Sequence, residues 1–358
     1  MIKLTNIEKY FFKGRSNQNH VCNNINLEFD DKGLVVLLGN SGSGKTTLLN
    51  ILSGMDKFNS GTLQFQEETF EKYRSTKWDT LRKNKIGYIY QNYHLLKELS
   101  VKDNIEMVLK MYGLTDQEEI DKRIDHLLTT VGLREYEDRL AKQLSGGQQQ
   151  RIAFARALSK DPHIILADEP TGNLDSKTTI ELMNILKNIS QTKLVIMVTH
   201  DQKLAEYFAD RIIGIENGKI VKDYKNEMKS DLSILQEQII YLKDYEKNEL
   251  KSETLNIKKY HKKKNQENNL DIDLIERNDT LYVNVGSAFP MKLKFINKDT
   301  EIELKDESSK NQKEKPIITV EPIQSNLKRE SKSAITLKDS FRYAMKKINM
   351  LNISGKLL

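Results

Sequence analysis

The chain has 358 residues, of which 38% are apolar and 30% charged, and its formal net charge is +6. This composition suits a soluble globular protein with one full-sized α/β core and a sizeable remainder. The single cysteine, Cys22, excludes an internal disulfide, and the first residues lack the apolar core of a secretory signal. These two features predict a cytoplasmic location. Because no run of about 18 apolar residues occurs, we expect that the chain does not cross a membrane by itself.

Most of the positive charge lies in the C-terminal part of the chain. Residues 225–358 contain 26 Lys and Arg against 21 Asp and Glu, so the part before them is nearly neutral. No aromatic residues alternate with basic ones in that neutral part. We therefore expect an ordinary solvated surface there and no nucleic-acid partner.

Residues 1–224 alternate short apolar runs with longer helical patterns, which is typical of a mostly parallel sheet covered by helices. Four buried strands are predicted, and each ends where a motif begins: Leu34–Leu38, Lys85–Tyr90, Ile164–Asp168 and Leu194–Thr199. Ligands of open α/β sheets collect outside the carboxyl ends of the strands, so we expect the active site there. Apolar residues at helical spacing predict an inserted helical subdomain at about residues 92–160.

The sequence changes character after Tyr224. Residues 225–268 are strongly charged and favour a helical linker. Residues 269–306 show partial alternation around the turn signals Arg277-Asn278-Asp279 and Asn297-Lys298-Asp299, which predicts a small antiparallel sheet. Residues 307–332 are polar and predict a flexible linker. The C-terminal extension is thus expected to be a small α+β region.

A last helix is predicted within residues 333–358. Thr336 and Asp339 have the spacing of a capping box, with Asp in place of the usual Glu. Apolar residues then fall on one face of the helix, and basic residues occupy the flanks and back. The apolar face consists of Leu337, Phe341, Ala344, Met345, Ile348 and Leu351. Such a helix lies at the inner surface of a membrane or packs back on the preceding domain.

A glycine-rich segment follows the predicted strand Leu34–Leu38 and fits the phosphate-binding pattern G-x-x-x-x-G-K-[ST]. It consists of Gly39, Asn40, Ser41, Gly42, Ser43, Gly44, Lys45, Thr46 and Thr47. Such a loop curls its backbone amides around phosphates at a helix N-terminus. Lys45 is expected to reach the β and γ phosphates, and the Thr46 hydroxyl to bind Mg²⁺. The flanking strand and helix disfavour a chance match in a glycine-rich turn.

The strand Ile164–Asp168 ends in two consecutive carboxylates, Asp168 and Glu169. Beside a phosphate-binding loop, Asp168 is expected to hold the Mg²⁺ shell. Glu169 is expected to orient or deprotonate the attacking water. An acidic helix cap is the alternative for such a pair, and the nearby loop favours a nucleotide hydrolase.

A third motif opens a predicted helix with a serine and two glycines. Its first residues are Ser145, Gly146, Gly147 and Gln148. Bare amides, a hydroxyl and the helix dipole make such a start suitable for binding an anion, although a capped helix without a ligand has the same pattern. Because the chain already has one phosphate-binding loop, a second anion site would take its nucleotide from another subunit.

The order of these motifs, LSGGQ after the phosphate-binding loop and before ILADEP, resembles the nucleotide-binding domain of ATP-binding cassette (ABC) transporters. The resemblance covers about residues 1–224. It implies a P-loop ABC cassette with a mostly parallel sheet, an antiparallel β part and a helical subdomain, which binds ATP and Mg²⁺ and hydrolyses ATP. It also implies a head-to-tail homodimer, in which each ATP lies between Lys45 of one copy and Ser145 and Gly147 of the other.

The resemblance assigns roles to four further positions. Gln91 is expected to contact Mg²⁺ or the catalytic water and to sense the permease, and Asp175 to lie in the D-loop. His200 is expected to contact the γ-phosphate, although a structural histidine is the alternative. The segment before Gly14 resembles the loop whose aromatic side chain stacks on adenine, and alignment on that glycine favours Phe11, with Tyr10 next. A core aromatic of an edge strand is the alternative for this residue.

The segments SGSGKTTLLN, LSGGQQQRIAFARAL and ADEPTGNLDS resemble those of the MacB, LolD and FtsE types within the family. This implies an ATPase at the cytoplasmic face of the bacterial membrane that drives a permease, either a separate chain or one fused after Leu358. The exported substrates would be peptides, antibiotics or lipoproteins. The alternatives are FtsE-like regulation of cell-wall remodelling and a soluble ABC ATPase outside transport. The substrate itself is not encoded here, because the permease selects it.

Overall fold

The structure is a computed structural model that describes residues 2–73 and 75–226. Beyond them it describes residues 239–241, 245–251, 256–262, 270–277, 280–287, 301–303, 335–336 and 339–340. The chain divides into two compact units, Met1–Ser230 with Pro316–Leu358, and Asp231–Lys315. None of the helices in the described part of the chain has the length and apolar character needed to span a membrane.

The first unit combines two β-sheets with seven described α-helices. Its strands are β1 (Ile2–Phe11), β2 (Asn19–Phe29), β3 (Gly33–Leu38), β4 (Ser60–Phe65), β5 (Glu68–Phe70), β6 (Ile86–Ile89), β7 (Ile164–Asp168), β8 (Leu194–Thr199), β9 (Arg211–Glu216) and β10 (Lys219–Lys225). Its helices are α1 (Lys45–Leu52), α2 (Ser75–Asn84), α3 (Val101–Tyr112), α4 (Gln117–Thr130), α5 (Gly146–Leu158), α6 (Ser176–Ser190) and α7 (Gln202–Phe208).

The central sheet has the strand order β10-β9-β3-β8-β7-β6. All neighbouring strands from β9 to β6 are parallel, and β10 is antiparallel to β9. Every residue of β8 is buried, as expected for a strand covered by helices on both faces. The four strands predicted from the sequence are confirmed, and their carboxyl ends lie at one edge of the sheet.

A second, antiparallel sheet has the order β2-β1-β4-β5. In β1 the buried residues Ile2 and Leu4 alternate with exposed positions, since only one face of this sheet packs on the core. They join one core cluster with Leu48 of α1 and Leu37 of β3. The predicted combination of a mostly parallel sheet with an antiparallel part is confirmed.

The predicted helical subdomain is also confirmed, because α3 packs on both α4 and α5, and α4 packs on α5. Helix α3 begins at a capping box, in which the Ser100 hydroxyl accepts from the Asp103 amide and the Asp103 carboxylate accepts from the Ser100 amide. The interior is apolar and includes Leu109, Leu127 and Phe154, all with no exposed surface. Burial of this interior stabilises helices whose outer faces are polar.

The predicted helical linker over residues 225–268 is wrong. The residues described within this range after Asn226 form three strands: β11 (Ile239–Tyr241), β12 (Tyr245–Lys251) and β13 (Asn256–Lys262). Strands β12 and β13 are antiparallel, and their register places Glu249 opposite Lys258. Strand formation depends on the residues opposite in the partner strand, so helix propensity along one charged segment does not decide it.

The predicted sheet over residues 269–306 is only partly right. Strands β14 (Leu270–Arg277) and β15 (Thr280–Ser287) form an antiparallel hairpin at the first predicted turn. Strand β16 (Glu301–Glu303) pairs in parallel with β11, which no local turn signal indicates. The predicted flexible linker, residues 307–332, lies outside the described residues.

The predicted start of the last helix is confirmed. The Thr336 hydroxyl accepts from the Asp339 amide at 3.1 Å, and the Asp339 carboxylate accepts from the Thr336 amide at 3.0 Å. Asp339 also pairs with Lys110 of α3 at 2.7 Å. This helix start therefore contacts the helical subdomain. The apolar face that the sequence predicts beyond it lies outside the described residues.

The only tryptophan of the chain, Trp78 in α2, is 1% exposed and packs on Gly54 at the end of α1. Gly54 has φ +66°, and a Cβ built there would lie 2.1 Å from the Trp78 ring. Gly14 has a similar φ of +79° but nothing within 4 Å of such a Cβ. The two glycines therefore share a backbone constraint and differ in packing.

We expect Gly54→Ala to lower the free energy of unfolding of the first unit by about 2–5 kcal/mol, because a left-handed backbone and overpacking both penalise the methyl group. Gly14→Ala is the matched control and should cost only about 1–2 kcal/mol, the backbone contribution. Urea unfolding followed by Trp78 emission measures both. Equal losses in the two variants would contradict the contact between Gly54 and Trp78.

Candidate nucleotide-binding site

The glycine-rich loop connects β3 to α1 at the carboxyl edge of the central sheet. Gly44 begins α1 with φ 102°, and a Cβ there would lie 2.5 Å from the Val21 carbonyl oxygen. The loop wraps around its own lysine, since the buried Lys45 ammonium donates to the Asn40 carbonyl at 2.7 Å and lies 3.5 Å from the Ser43 hydroxyl. Burial lowers the pKa of Lys45, while Glu169 and Asp168 act to raise it. The result is a positive charge at a helix N-terminus, next to a glycine position, Gly44, that has no room for a side chain.

A hydroxyl and a carboxylate meet beside this lysine. Thr46 Oγ1 donates to Asp168 Oδ1 at 2.9 Å and so joins the start of α1 to the end of β7. The pKa of the Asp168 carboxyl is raised above its ordinary value, chiefly by burial and also by Glu169. The Thr46 hydrogen bond and Lys45 act in the opposite direction. Oxygen donors of this kind are the ligands that Mg²⁺ prefers.

Glu169 lies between side chains from the two neighbouring strand ends. Its carboxylate accepts from Gln91 Nε2 at 3.2 Å, after β6, and lies 3.2 Å from His200 Nδ1, after β8. Its backbone has φ 41°, a left-handed conformation that costs a residue other than glycine about 1–3 kcal/mol. The Glu169 amide donates to the Val198 carbonyl at 3.1 Å, which holds this conformation. The three residues that the sequence assigned to catalysis are thus brought together.

The residues of the third motif form the start of α5, apart from that cluster in the sequence. The Ser145 hydroxyl accepts from the Gln148 amide at 3.3 Å, and the Gln148 side chain accepts from the Ser145 amide at 3.0 Å. A Cβ built on Gly147 would lie 2.8 Å from a Thr178 methyl. Thr178 belongs to the first turn of α6, which Asp175 caps by accepting from the Thr178 amide at 2.9 Å. Ser145, Gly147 and Asp175 therefore form a second cluster.

Two aromatic residues at the end of β1 are candidates for the predicted adenine contact. The Tyr10 ring stacks on His20 at 4.0 Å between centroids, and the Lys13 ammonium lies 5.1 Å from the Tyr10 centroid. Phe11 is 38% exposed, with the Lys9 ammonium 4.8 Å from its centroid. Phe11 is thus the more accessible of the two rings.

Arg156 is a residue of the site that the sequence analysis missed. From the last turn of α5, its guanidinium donates to the carbonyls of Tyr93, at 2.6 Å, and of His94. These two residues follow Gln91 and have left-handed backbones with φ 59° and 46°. Arg156 therefore joins the helix that begins at Ser145 to the loop that carries Gln91. An arginine late in a helix carries no local signal of such a contact, because basic residues are common there.

The fold and the loop geometry define the class as a P-loop nucleotide-binding α/β protein. Residues 22–172 match the family described as ABC transporter. The chain is 40% identical over 223 residues to the uncharacterized ABC transporter ATP-binding protein MJ1508 of Methanocaldococcus jannaschii, covering 62% of this chain and 98% of that one. This protein belongs to the ABC transporter ATP-binding family, which implies ATP hydrolysis.

The chain is also similar to a second sequence relative and to a solved structure. The macrolide export ATP-binding/permease protein MacB 2 of Yersinia pestis is 42% identical over 224 residues, which are 62% of this chain and 33% of that protein. The chain thus matches about a third of the length of that relative. The ATP-binding cassette MJ0796, in a dimeric post-hydrolysis state bound to ADP and Pi, superposes with a TM-score of 0.59 at 36% identity, covering 64% of this chain and all of that one.

We expect Arg156→Lys to loosen the loop after Gln91, because one ammonium does not reproduce the two parallel donors of a guanidinium. Hydrogen bonds from a charged group contribute roughly 1.5–3 kcal/mol, so amide exchange at Tyr93 and His94 should accelerate at least about tenfold. Hydrogen–deuterium exchange measures this. Arg134→Lys, at an exposed arginine, is the control. Unchanged exchange in the loop would show that Arg156 does not hold it.

Proposed function

We propose that this protein binds MgATP between two copies of its cassette and hydrolyses it to drive a membrane-embedded permease. The observation that carries the proposal is the position of Glu169, between Gln91 and His200 and next to the Thr46–Asp168 pair. A carboxylate in this position can act on a water molecule in line with the terminal phosphate of a nucleotide held by the loop.

The residues fit the nucleotide and its metal ion. Gly44 packs against the Val21 carbonyl at the start of α1. The backbone amides of the loop lie at this helix N-terminus, which is suited to phosphate oxygens. Lys45 would bind the β and γ phosphates, and the loop amides from Gly39 to Thr47 would surround them. Thr46, Asp168 and Gln91 would hold Mg²⁺, which when bound neutralises charge on the phosphate oxygens.

The chain's own groups then divide the work of hydrolysis. Glu169 would orient the attacking water or take its proton, while Gln91 and His200 would position the Glu169 carboxylate and contact the terminal phosphate. Phe11 would stack on the adenine ring, with Tyr10 as the next candidate. Stacking on either ring tolerates any base, so we expect modest base selectivity.

A second copy would complete each site. One chain has one phosphate-binding loop and one Ser145 cluster, and the similar cassette MJ0796 is dimeric with ADP and Pi bound. In a head-to-tail pair, Ser145, Gly146, Gly147 and Gln148 of one copy would contact the nucleotide on Lys45 of the other. Loss of the γ-phosphate would then remove a contact shared by both copies and open the dimer.

The membrane partner is inferred from the relatives. MacB 2 is named as a macrolide export ATP-binding/permease protein, and this chain matches 33% of its length. We infer a place at the cytoplasmic face of the cell membrane and a permease, either a separate chain or fused to this one. Export of peptides, antibiotics or lipoproteins is the substrate class proposed. The predicted basic helix after Asp339 is suited to the membrane surface because it combines an apolar face with lysine and arginine.

Glu169→Gln should bind MgATP but hydrolyse it roughly 10²–10⁴ times more slowly, because a positioned base or water-orienting group is lost. The variant should also accumulate as an ATP-dependent dimer. Steady-state phosphate release and size-exclusion chromatography with MgATP measure the two effects. Glu181→Gln, at a carboxylate on α6 that pairs with Arg151, is the control for charge removal. Hydrolysis by Glu169→Gln at the parental rate would exclude Glu169 as the catalytic residue.

Two inactive variants should complement each other. Lys45→Ala should lose nucleotide affinity, whereas Ser145→Arg should keep nucleotide binding by the single chain and lose hydrolysis. In a mixed dimer, one site combines an intact phosphate-binding loop with an intact Ser145 cluster, so we expect partial recovery of ATP turnover. Two differently tagged variants, purified as the heterodimer, allow the measurement. A heterodimer without any recovered turnover would contradict a site shared between copies.

A further inference from the structure

The helix start formed by Thr336 and Asp339, called here the C-terminal segment, is held on helix α3 by a nearly buried ion pair. The Lys110 ammonium lies 2.7 Å from an Asp339 carboxylate oxygen, and the two side chains are 12% and 11% exposed. Glu106, one turn before Lys110, places a second carboxylate oxygen 2.9 Å from the same ammonium and is 2% exposed. Lys110 is therefore bound between a carboxylate of its own helix and one more than two hundred residues later in the chain.

The protonation states favour this contact over the whole neutral range. Burial alone would raise the pKa of Asp339, but its bonds with Lys110 and Thr336 bring it well below its ordinary value. Burial alone would lower the pKa of Lys110, but Asp339 and Glu106 raise it above its ordinary value. The contribution of the pair is lost as pH falls through the lowered pKa of Asp339 or rises through the raised pKa of Lys110. Both groups are therefore charged throughout the neutral range, which favours the ion pair.

The same carboxylate also forms the helix start on the C-terminal side. Asp339 accepts from the Thr336 amide and from the Thr336 hydroxyl, at 3.0 and 2.7 Å. The orientation of the Asp339 carboxylate toward Lys110 is therefore fixed by the local capping box. An ordered acceptor of this kind makes a stronger contact than a mobile surface carboxylate, because less side-chain entropy is lost.

Helix α3 links this attachment to the Ser145 cluster, which is proposed to complete the site of a second copy. It packs directly on α5, whose first residue follows Ser145, and on α4. A group fixed to α3 therefore follows any displacement that brings Ser145 toward the nucleotide of a second copy.

We propose that the Lys110–Asp339 pair is an anchor that fastens the C-terminal segment to the helices carrying Ser145, so that the segment moves with them when MgATP closes the dimer. The movement rests on the proposed function; the attachment itself does not. Through the anchor, closure of the dimer would move the C-terminal segment of the ATPase domain as well as the permease.

Spin labels at three exposed positions test the anchor in the full-length chain. Thr129→Cys lies on α4, Ser340→Cys on the C-terminal segment and Val221→Cys on β10 of the central sheet. The native Cys22 is buried, and burial raises its pKa to about 12, so it does not compete for the label at neutral pH. Pulsed electron paramagnetic resonance then gives the three pairwise distances, in the Glu169→Gln background with and without MgATP.

With the anchor intact, MgATP should shift both distances from Val221 and leave a narrow Thr129–Ser340 distance unchanged. Lys110→Met should abolish the narrow Thr129–Ser340 distance and the MgATP-dependent shift of Val221–Ser340, while Val221–Thr129 still responds. Asp339→Asn should have the same effect, although its side chain can still cap the helix. Lys110→Arg should restore the parental distances. Lys122→Met, which breaks the exposed pair with Glu118 on α4, is the matched control and should change nothing.

The outcomes separate the anchor from the proposed function. A Thr129–Ser340 distance that stays narrow in Lys110→Met and Asp339→Asn overturns the anchor, whatever MgATP does. A Val221–Thr129 distance that ignores MgATP counts against ATP-driven closure, while the Thr129–Ser340 distance without nucleotide still decides the anchor. Trp78 emission verifies that each variant keeps the packed first unit.

Discussion

The hydrogen bond between Thr46 and Asp168 joins the two halves of the candidate nucleotide site, and the arrangement of the other groups depends on it. It exists because β3, β8, β7 and β6 are parallel neighbours, which brings their carboxyl ends to one edge of the sheet. At that edge α1 delivers Lys45 and Thr46, while β7 delivers Asp168 and Glu169. A hydroxyl, an ammonium and two carboxylates thereby share a small, partly buried volume, in which their charges influence one another strongly.

A half-buried arginine and one backbone hydrogen bond hold strained residues at the edges of this volume. Glu169 has a left-handed backbone, and so do Tyr93 and His94 after Gln91. Such conformations persist only where surrounding contacts fix them, here the Val198 carbonyl for Glu169 and the Arg156 guanidinium for the loop. Since Arg156 belongs to the helix that begins after Ser145, the loop of one nucleotide site is tied to the surface that would complete another.

The extension after the cassette shows how pairing overrides local preference. The charged residues of β12 and β13 favour a helix when considered one segment at a time, yet they form an antiparallel pair. Strand β11 joins β16 in parallel across about sixty intervening residues. The Thr336–Asp339 helix start belongs instead to the first unit, where Lys110 binds it. The extension is therefore divided between the two compact units.

The sequence by itself determined the features that depend on residues close along the chain. These include the four buried strands, the phosphate-binding loop, the paired carboxylates and the capping box of Thr336, because each depends on a short spacing or a local hydrogen bond. The tertiary structure alone decided the partners of Arg156 and Lys110 and the pairing of β12 with β13. Those contacts join residues far apart in the sequence, and their energy arises only when packing removes the groups from water and places a matching charge or carbonyl within reach.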